Sequence, residues 1–164
     1  MRIGTGYDVH VFKKGRKLVL GGVTIEHSTG LDGHSDADVL VHAIMDAILG
    51  AAGMDDIGVH FPDNDISYKD ISSLSLLEKV SDLIKKEGFN IVNIDSVLIM
   101  EEPKISNYTA RMKSNIAEAL DIESSQIGIK ATTSEGLGFC GKKEGAAAQA
   151  VALLESGKSK KISG

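Results

Sequence analysis

The hydrophobic positions of the chain fall into short alternating runs and longer helical runs, separated by glycine and proline. Residues 2–9 and 17–25 read as two strands; in the second, Gly21-Gly22 stands between Lys17-Leu18-Val19-Leu20 and Val23-Thr24-Ile25 as a turn or bulge signal. Residues 27–33 read as loop, punctuated by Gly30 and Gly33. A helix is predicted next, with Ser35 as N-cap and Asp38 completing a capping-box-like pair. Leu40, Ile44, Ala47 and Ile48 form its apolar stripe, Val39, Ala43, Asp46 and Gly50 share another face, and Gly50 or Gly53 ends it. Residues 55–70 read as an irregular acidic loop. A second helix is predicted over Ser72 to Glu87, burying Leu76, Leu77, Val80, Leu83 and Ile84 and stopping at Gly88. A strand over 90–100, broken by Pro103, a third helix over Tyr108 to Leu120 and a strand over Gln126 to Thr132 follow. After a glycine-rich turn, the small residues from Glu144 to Leu154 read as a helix able to pack closely on a sheet. No repeat or linker interrupts the pattern, which predicts one α+β domain over residues 1–156 and a polar tail over 157–164.

Composition narrows the class. The 164 residues are 42% hydrophobic and 25% charged, the balance of a single soluble domain, and with 4% aromatics and no Trp the core must be aliphatic. A net charge of -5 argues against a nucleic-acid-binding surface, while leaving room for a local cationic pocket. One cysteine, Cys140, excludes an internal disulfide and fits a reducing compartment. No apolar run is long enough to cross a bilayer, and the N-terminus lacks the apolar core of a signal peptide, so a cytoplasmic location with no membrane partner is expected.

Two constellations carry chemistry. Asp8-Val9-His10 ends the first strand, and residues two apart in an extended segment point the same way, so Asp8 and His10 can converge on one ion. His42, on the first predicted helix, offers a third ligand; one carboxylate and two imidazoles make a catalytic zinc set with a position left open. His34, just before that helix, reads either as a loop histidine or as a donor to an anion over the helix N-terminus. Asp46, four residues after His42, reads as a solvated carboxylate, or as one that orients a ligand or meets a substrate hydroxyl.

The second constellation is Lys130-Ala131-Thr132-Thr133-Ser134-Glu135-Gly136-Leu137-Gly138-Phe139, which follows a strand. Its hydroxyls, amides and glycines suit a diphosphate cradle, and Glu135 could hold a magnesium ion on the phosphates. It is not a Walker A loop. Lys104, after Pro103, reads as a phosphate contact or a solvated cation. The acidic segment around Asp55-Asp56 and Phe61-Pro62-Asp63 lacks EF-hand spacing and fits polyol recognition better, since carboxylates accept hydrogen bonds from adjacent hydroxyls.

Together these strings resemble the cyclodiphosphate synthases of the methylerythritol phosphate route to isoprenoids. The matching pieces are Arg2-Ile3-Gly4-x-Gly6-Tyr7-Asp8-Val9-His10, Gly21-Gly22-Val23, Gly33-His34-Ser35-Asp36-Ala37-Asp38-Val39 with His42, Asp56-Ile57-Gly58-x-x-Phe61-Pro62-Asp63, Pro103-Lys104, and Lys130-Ala131-Thr132-Thr133-x-Glu135-x-Leu137-Gly138-Phe139. They run in order from Met1 to about Leu154.

The resemblance implies a mixed sheet covered on one side by helices, assembled as a homotrimer with active sites between subunits. It implies zinc held by Asp8, His10 and His42, and magnesium or manganese held by Glu135 on the substrate diphosphate. His34 and Thr133 would stabilise the transferring phosphoryl group. Asp56, Gly58, Phe61 and Asp63 would line a methylerythritol pocket, with Ser35 and Asp46 close by. Residues 100–106, among them Met100, Lys104 and Ile105, and residues 131–133, including Ala131 and Thr132, would receive a cytidine nucleotide, with Phe139 nearby. The implied reaction is attack of the substrate's 2-phosphate on the β-phosphorus with release of CMP.

Some residues depart from the family pattern. Lys142 stands where family members carry Arg facing a threefold channel, so contact with an isoprenoid diphosphate there would keep the charge and lose bidentate geometry. Glu101 and Glu102 add negative charge before Pro103. Two rival functions follow from the same metal set: a non-catalytic trimeric zinc module that binds isoprenoid diphosphates, and a metal-dependent phosphohydrolase that releases phosphate instead of a ring.

Overall fold

The computed structural model describes residues 1–62, 64–68 and 71–157, Ser67 in its backbone only. Along the chain run β1 (Arg2–Lys14), β2 (Leu18–Leu20), β3 (Val23–Ile25), β4 (Thr29–Leu31), α1 (Val39–Ala52), α2 (Ile57–His60), α3 (Ser73–Lys86), β5 (Phe89–Ile99), α4 (Thr109–Leu120), β6 (Ile127–Thr132), α5 (Gly138–Gly141) and β7 (Gly145–Ser156). The main sheet has the order β4-β1-β7-β5-β6. It is mixed: β5 and β6 run parallel, and the other pairs are antiparallel. The chain is thus a single α+β domain with a mixed sheet.

Alternation along β1 and β7 sorts their side chains onto two faces. On β1, Gly4, Gly6, Asp8 and His10 point inward, and Ile3, Thr5, Tyr7, Val9 and Val11 point outward and are exposed. On β7, Ala146, Ala148, Ala150, Ala152 and Leu154 are buried on the inner face, while Gln149 and Val151 are exposed. This corrects the expected helix over Glu144–Leu154. Alanine is the strongest helix former, which favours a helix there on local grounds. In the fold the segment is the strand hydrogen-bonded between β1 and β5, and its alanines leave room for a helix to lie against them.

That helix is α1. Eleven of its side chains are buried, from Val39 to Ala51, because the sheet covers one side and α3 packs on it too. A methyl group built on Gly4 would overlap Ala47 O and Ala51 N, and one on Gly6 would overlap Ala43 O. The two glycines therefore let the backbones of β1 and α1 touch, which no larger residue permits. Gly21 and Gly22 serve a different need. Both have positive φ, +56° and +68°, as the two-residue turn joining β2 to β3 demands.

Several boundaries differ from the sequence expectation. β1 runs on to Lys14, and β4 forms within the expected 27–33 loop, pairing Phe12 with Leu31. α1 begins after Asp38, whose Oδ1 accepts the Val41 N–H at 3.2 Å; Ser35 is not its cap. Within 55–70 the chain makes α2 and a 3₁₀ turn at Ile66–Tyr68. Asp63 lies outside the described residues, as does the tail beyond Gly157.

Substitution of two glycines should have opposite signs. Gly6→Ala should lower the unfolding free energy by at least ~2 kcal/mol, since neither backbone can yield. At Gly50, exposed in α1 with Thr5 O at 3.8 Å the nearest atom to an added methyl, alanine should raise it by about 0.5–1 kcal/mol. Urea unfolding monitored by circular dichroism measures both.

Candidate active site

The flush packing of α1 on β1 brings His42 against Asp8 and His10. Asp8 Oδ2 lies 3.0 Å from His10 Nε2 and 3.0 Å from His42 Nδ1, and the two nitrogens are 3.1 Å apart. Ligands of a tetrahedral ion with bonds of about 2.0–2.1 Å stand roughly 3.3 Å from one another, so this donor set fits zinc closely. Each imidazole is held from behind. His10 Nδ1 donates to the Asp32 carbonyl at 2.7 Å, leaving Nε2 for the centre. His42 Nε2 lies 2.9 Å from Ser73 Oγ and 3.2 Å from Ser35 Oγ.

Electrostatics follow from this cluster. Burial works against charge on Asp8, yet the hydrogen bonds from His10 and His42 and their charge outweigh it and hold the carboxyl well below the usual range. Burial likewise works against a protonated His10, and the Asp8 carboxylate overrides it, raising the imidazole above its ordinary value.

The centre opens into a cleft of about 230 Å³ lined by Gly33, His34, Ser35, Ile57, Gly58, Phe61, Tyr68 and Leu76. His34 Nε2 is buried there without a hydrogen-bond partner, an unsatisfied polar atom beside a metal-ligand cluster. Asp46 Oδ1 accepts the Ile57 N–H at 2.9 Å and fixes α2 against α1. Asp56 caps α2, accepting from Gly58 N at 2.8 Å. Neither carboxylate is among the groups lining the cleft.

The chain is similar to known proteins along nearly its whole length. The family model described as the YgbB family matches residues 1–155. The chain belongs to the YgbB family. It is 58% identical over 158 residues to the 2-C-methyl-D-erythritol 2,4-cyclodiphosphate synthase of Chlorobium phaeobacteroides, covering 96% of this chain and 99% of the relative. It is 59% identical over 155 residues to the enzyme of the same name from Clostridium botulinum, covering 94% and 100%. Among solved structures, that of IspF from Plasmodium falciparum in complex with CDP superposes with a TM-score of 0.84 at 39% identity, over 96% of this chain and 97% of the other.

In this family member the other residues expected from the sequence gather elsewhere. Met100, Lys104, Ile105, Ala131, Thr132 and Thr133 line a second cleft of about 420 Å³, between the ends of β5 and β6 and the start of α4. Glu135, Phe139 and Lys142 are exposed on the turn that follows. Thr133 Oγ1 donates to Glu135 Oε1 at 3.2 Å. The charges that sequence reading set beside this cleft are engaged: Glu101 Oε1 accepts from Ser134 N at 3.0 Å, Ser134 Oγ at 3.3 Å and Gly136 N at 3.4 Å, so it shapes the turn. Glu102 pairs with Lys143 at 2.9 Å, which lowers its pKa.

Sequence reading missed the supports of the site. Arg16 clamps the loop carrying His34, donating to the carbonyls of Leu31, Gly33 and Ser35 at 3.2, 3.2 and 2.8 Å. Ser73 and Asp36 stand behind His42. Ser73 sits beside a capping serine and carries no pattern that sets it apart, whereas Asp36 lies within a matched string.

Asp38, which starts α1, titrates unusually. It is fully buried, and burial with the neighbouring Asp36 charge raises its pKa to about 6, against the pull of hydrogen bonds from Gly22 and Val41. The fold therefore holds this proton more tightly than the unfolded chain does. Stability from Asp38 is complete below its unfolded value of 3.8, falls as pH rises towards 6, and is level above that. Relative to Asp38→Asn, the metal-free parent should lose on the order of 2–3 kcal/mol between pH 4 and pH 7. Urea unfolding of both proteins across that range gives the difference directly.

Proposed function

We propose that the chain is a 2-C-methyl-D-erythritol 2,4-cyclodiphosphate synthase, a phosphorus–oxygen lyase of isoprenoid biosynthesis, with residues 1–156 as its catalytic unit. The observation that carries the reading is near-complete coverage of identically named relatives at 58–59% identity, together with an Asp8, His10 and His42 cluster able to hold one metal ion. The substrate is 4-diphosphocytidyl-2-C-methyl-D-erythritol 2-phosphate. CDP in the Plasmodium falciparum relative supports a cytidine diphosphate ligand here.

The reaction is an internal displacement. An oxygen of the 2-phosphate bonds to the β-phosphorus, the bond from that phosphorus to the CMP oxygen breaks, and CMP departs with the electron pair. Both reactants belong to one molecule, so the protein needs no nucleophile and contributes mainly by holding the two ends in line. A zinc ion on Asp8, His10 and His42 would supply Lewis-acid stabilisation of the phosphoryl oxygens, aided by magnesium or manganese held by Glu135 on the diphosphate. His34 lines the same cleft, and its buried Nε2 has no partner, so the ring would serve a developing negative charge there. Thr133 offers its hydroxyl from the second cleft, with Lys104, Met100, Ile105, Ala131, Thr132 and Phe139 around the nucleotide. Ser35, Gly58 and Phe61 bound the polyol side; Asp46 and Asp56 shape α2 beneath it, and Asp63 joins this side by its place in the matched string.

The chain acts as a homotrimer. Ile3, Tyr7, Val9, Val11 and Val151 form an apolar, exposed outer sheet face, the kind of surface that subunits cover. The metal cluster and the nucleotide residues occupy separate clefts of one chain, and association through that face would let neighbouring subunits complete one site. Lys142 keeps a positive charge for an isoprenoid diphosphate in the threefold channel. Among the described residues no helix is long and apolar enough to cross a membrane.

Phosphorus NMR of the zinc- and magnesium-loaded protein with its substrate should show the cyclic diphosphate and equimolar CMP, and His42→Ala should lower the rate at least 100-fold. Free phosphate without a ring would make the chain a phosphohydrolase, and binding without turnover would leave a sequestering module.

A further inference from the structure

We propose that Ser73, backed by Asp36, is a positioning residue for the metal ligand His42; the proposal rests on the reading of Asp8, His10 and His42 as a zinc site. Ser73 is the first residue of α3 and is completely buried. Its hydroxyl donates to Asp36 Oδ1, and its backbone N–H donates to Asp36 Oδ2 at 3.0 Å. A carboxylate only accepts, so the Ser73 proton is committed to Asp36 and the serine oxygen is left to accept.

The group it faces is His42 Nε2, at 2.9 Å. Once a metal replaces the proton that His42 shares with Asp8, an imidazole that donates from Nε2 carries its lone pair on Nδ1, the atom that lies 3.0 Å from Asp8 Oδ2 and 3.1 Å from His10 Nε2. The relay thus fixes which nitrogen of His42 is available to a metal and which way the ring faces. Ser35 Oγ, at 3.2 Å from the same nitrogen, is the longer contact and already accepts the Ala37 N–H.

Asp36 is anchored in turn, its amide donating to the Ile71 carbonyl at 3.2 Å. A hydrogen-bonded chain therefore runs from the loop before α1, through the first residue of α3, to a ligand on α1. Outer hydrogen bonds of this kind typically change metal affinity by 10–100-fold when removed.

Competition of the metal-free protein with a chromophoric chelator for zinc tests the relay. Ser73→Ala should raise the zinc Kd about 10–100-fold and shift the visible spectrum of the cobalt(II)-substituted protein. Ser72→Ala is the control: Ser72 Oγ caps the same helix, accepting from Leu74 N at 3.3 Å without touching the relay. It should lower the melting temperature and leave Kd within twofold. Asp36→Asn removes the relay's charge with Ser73 and His42 intact, should weaken zinc in the same direction, and decides the matter if Ser73→Ala does not fold. A parent protein that binds zinc, with Ser73→Ala or, if that variant does not fold, Asp36→Asn binding it equally well, would overturn the relay alone. Equal weakening in Ser72→Ala would overturn it too, as a general effect of α3 stability. A parent that binds no zinc would overturn the metal site as well.

Discussion

The contact between the backbones of α1 and β1 decides where the three groups of the candidate metal cluster lie. Gly4 and Gly6 remove side chains from the inner face of β1, and the inward alanines of β7 keep the neighbouring strip low. α1 settles onto this bare strip, and the next inward positions of β1 after the glycines are Asp8 and His10. His42, near the start of α1, meets them there. A bulkier inner face would push the helix away and separate ligands whose donor atoms now stand 3.0–3.1 Å apart. Close packing of small residues and the metal cluster are thus one design feature.

Building a cluster of two imidazoles and a carboxylate into a half-buried position carries an electrostatic cost, because burial disfavours charge on each partner. Asp8 stays ionised because His10 and His42 both bond it, and each imidazole is held by a group on its far side. These outer groups come from separate elements: Asp32 follows β4, and Ser73 opens α3. The site is therefore as rigid as the packing of α1 and α3, and it does not rest on one flexible loop. Around the second cleft the same economy holds, where Glu101 spends its charge on the amides of the turn that carries Thr133 and Glu135.

Much of this was legible in the sequence. Alternation placed Asp8 and His10 on one side of a strand, the apolar stripe placed His42 on a helix, and α3 and α4 were found within a residue or two of their ends. The matched strings named the family that the comparisons then established. The failure at Glu144–Leu154 is informative. Ala-rich composition favours a helix locally, and only the need of β1 and β5 for a common partner, together with the need of α1 for a low surface, makes it a strand. Its period of two was present in the inward alanines, but Ala147 among them blurred the alternation. Ser73, Asp32 and Arg16 were invisible for another reason. Each acts through tertiary hydrogen bonds to groups distant in sequence, and nothing in local spacing marks such a role.

The proposed chemistry depends on a single ion shared by β1 and α1. Anomalous X-ray diffraction from crystals grown with zinc, recorded on either side of the zinc absorption edge, locates that ion without reference to activity. One peak bonded to the Asp8 carboxylate, His10 Nε2 and His42 Nδ1 is the predicted result. No peak at these residues, or a zinc bonded to His42 through Nε2, would contradict it.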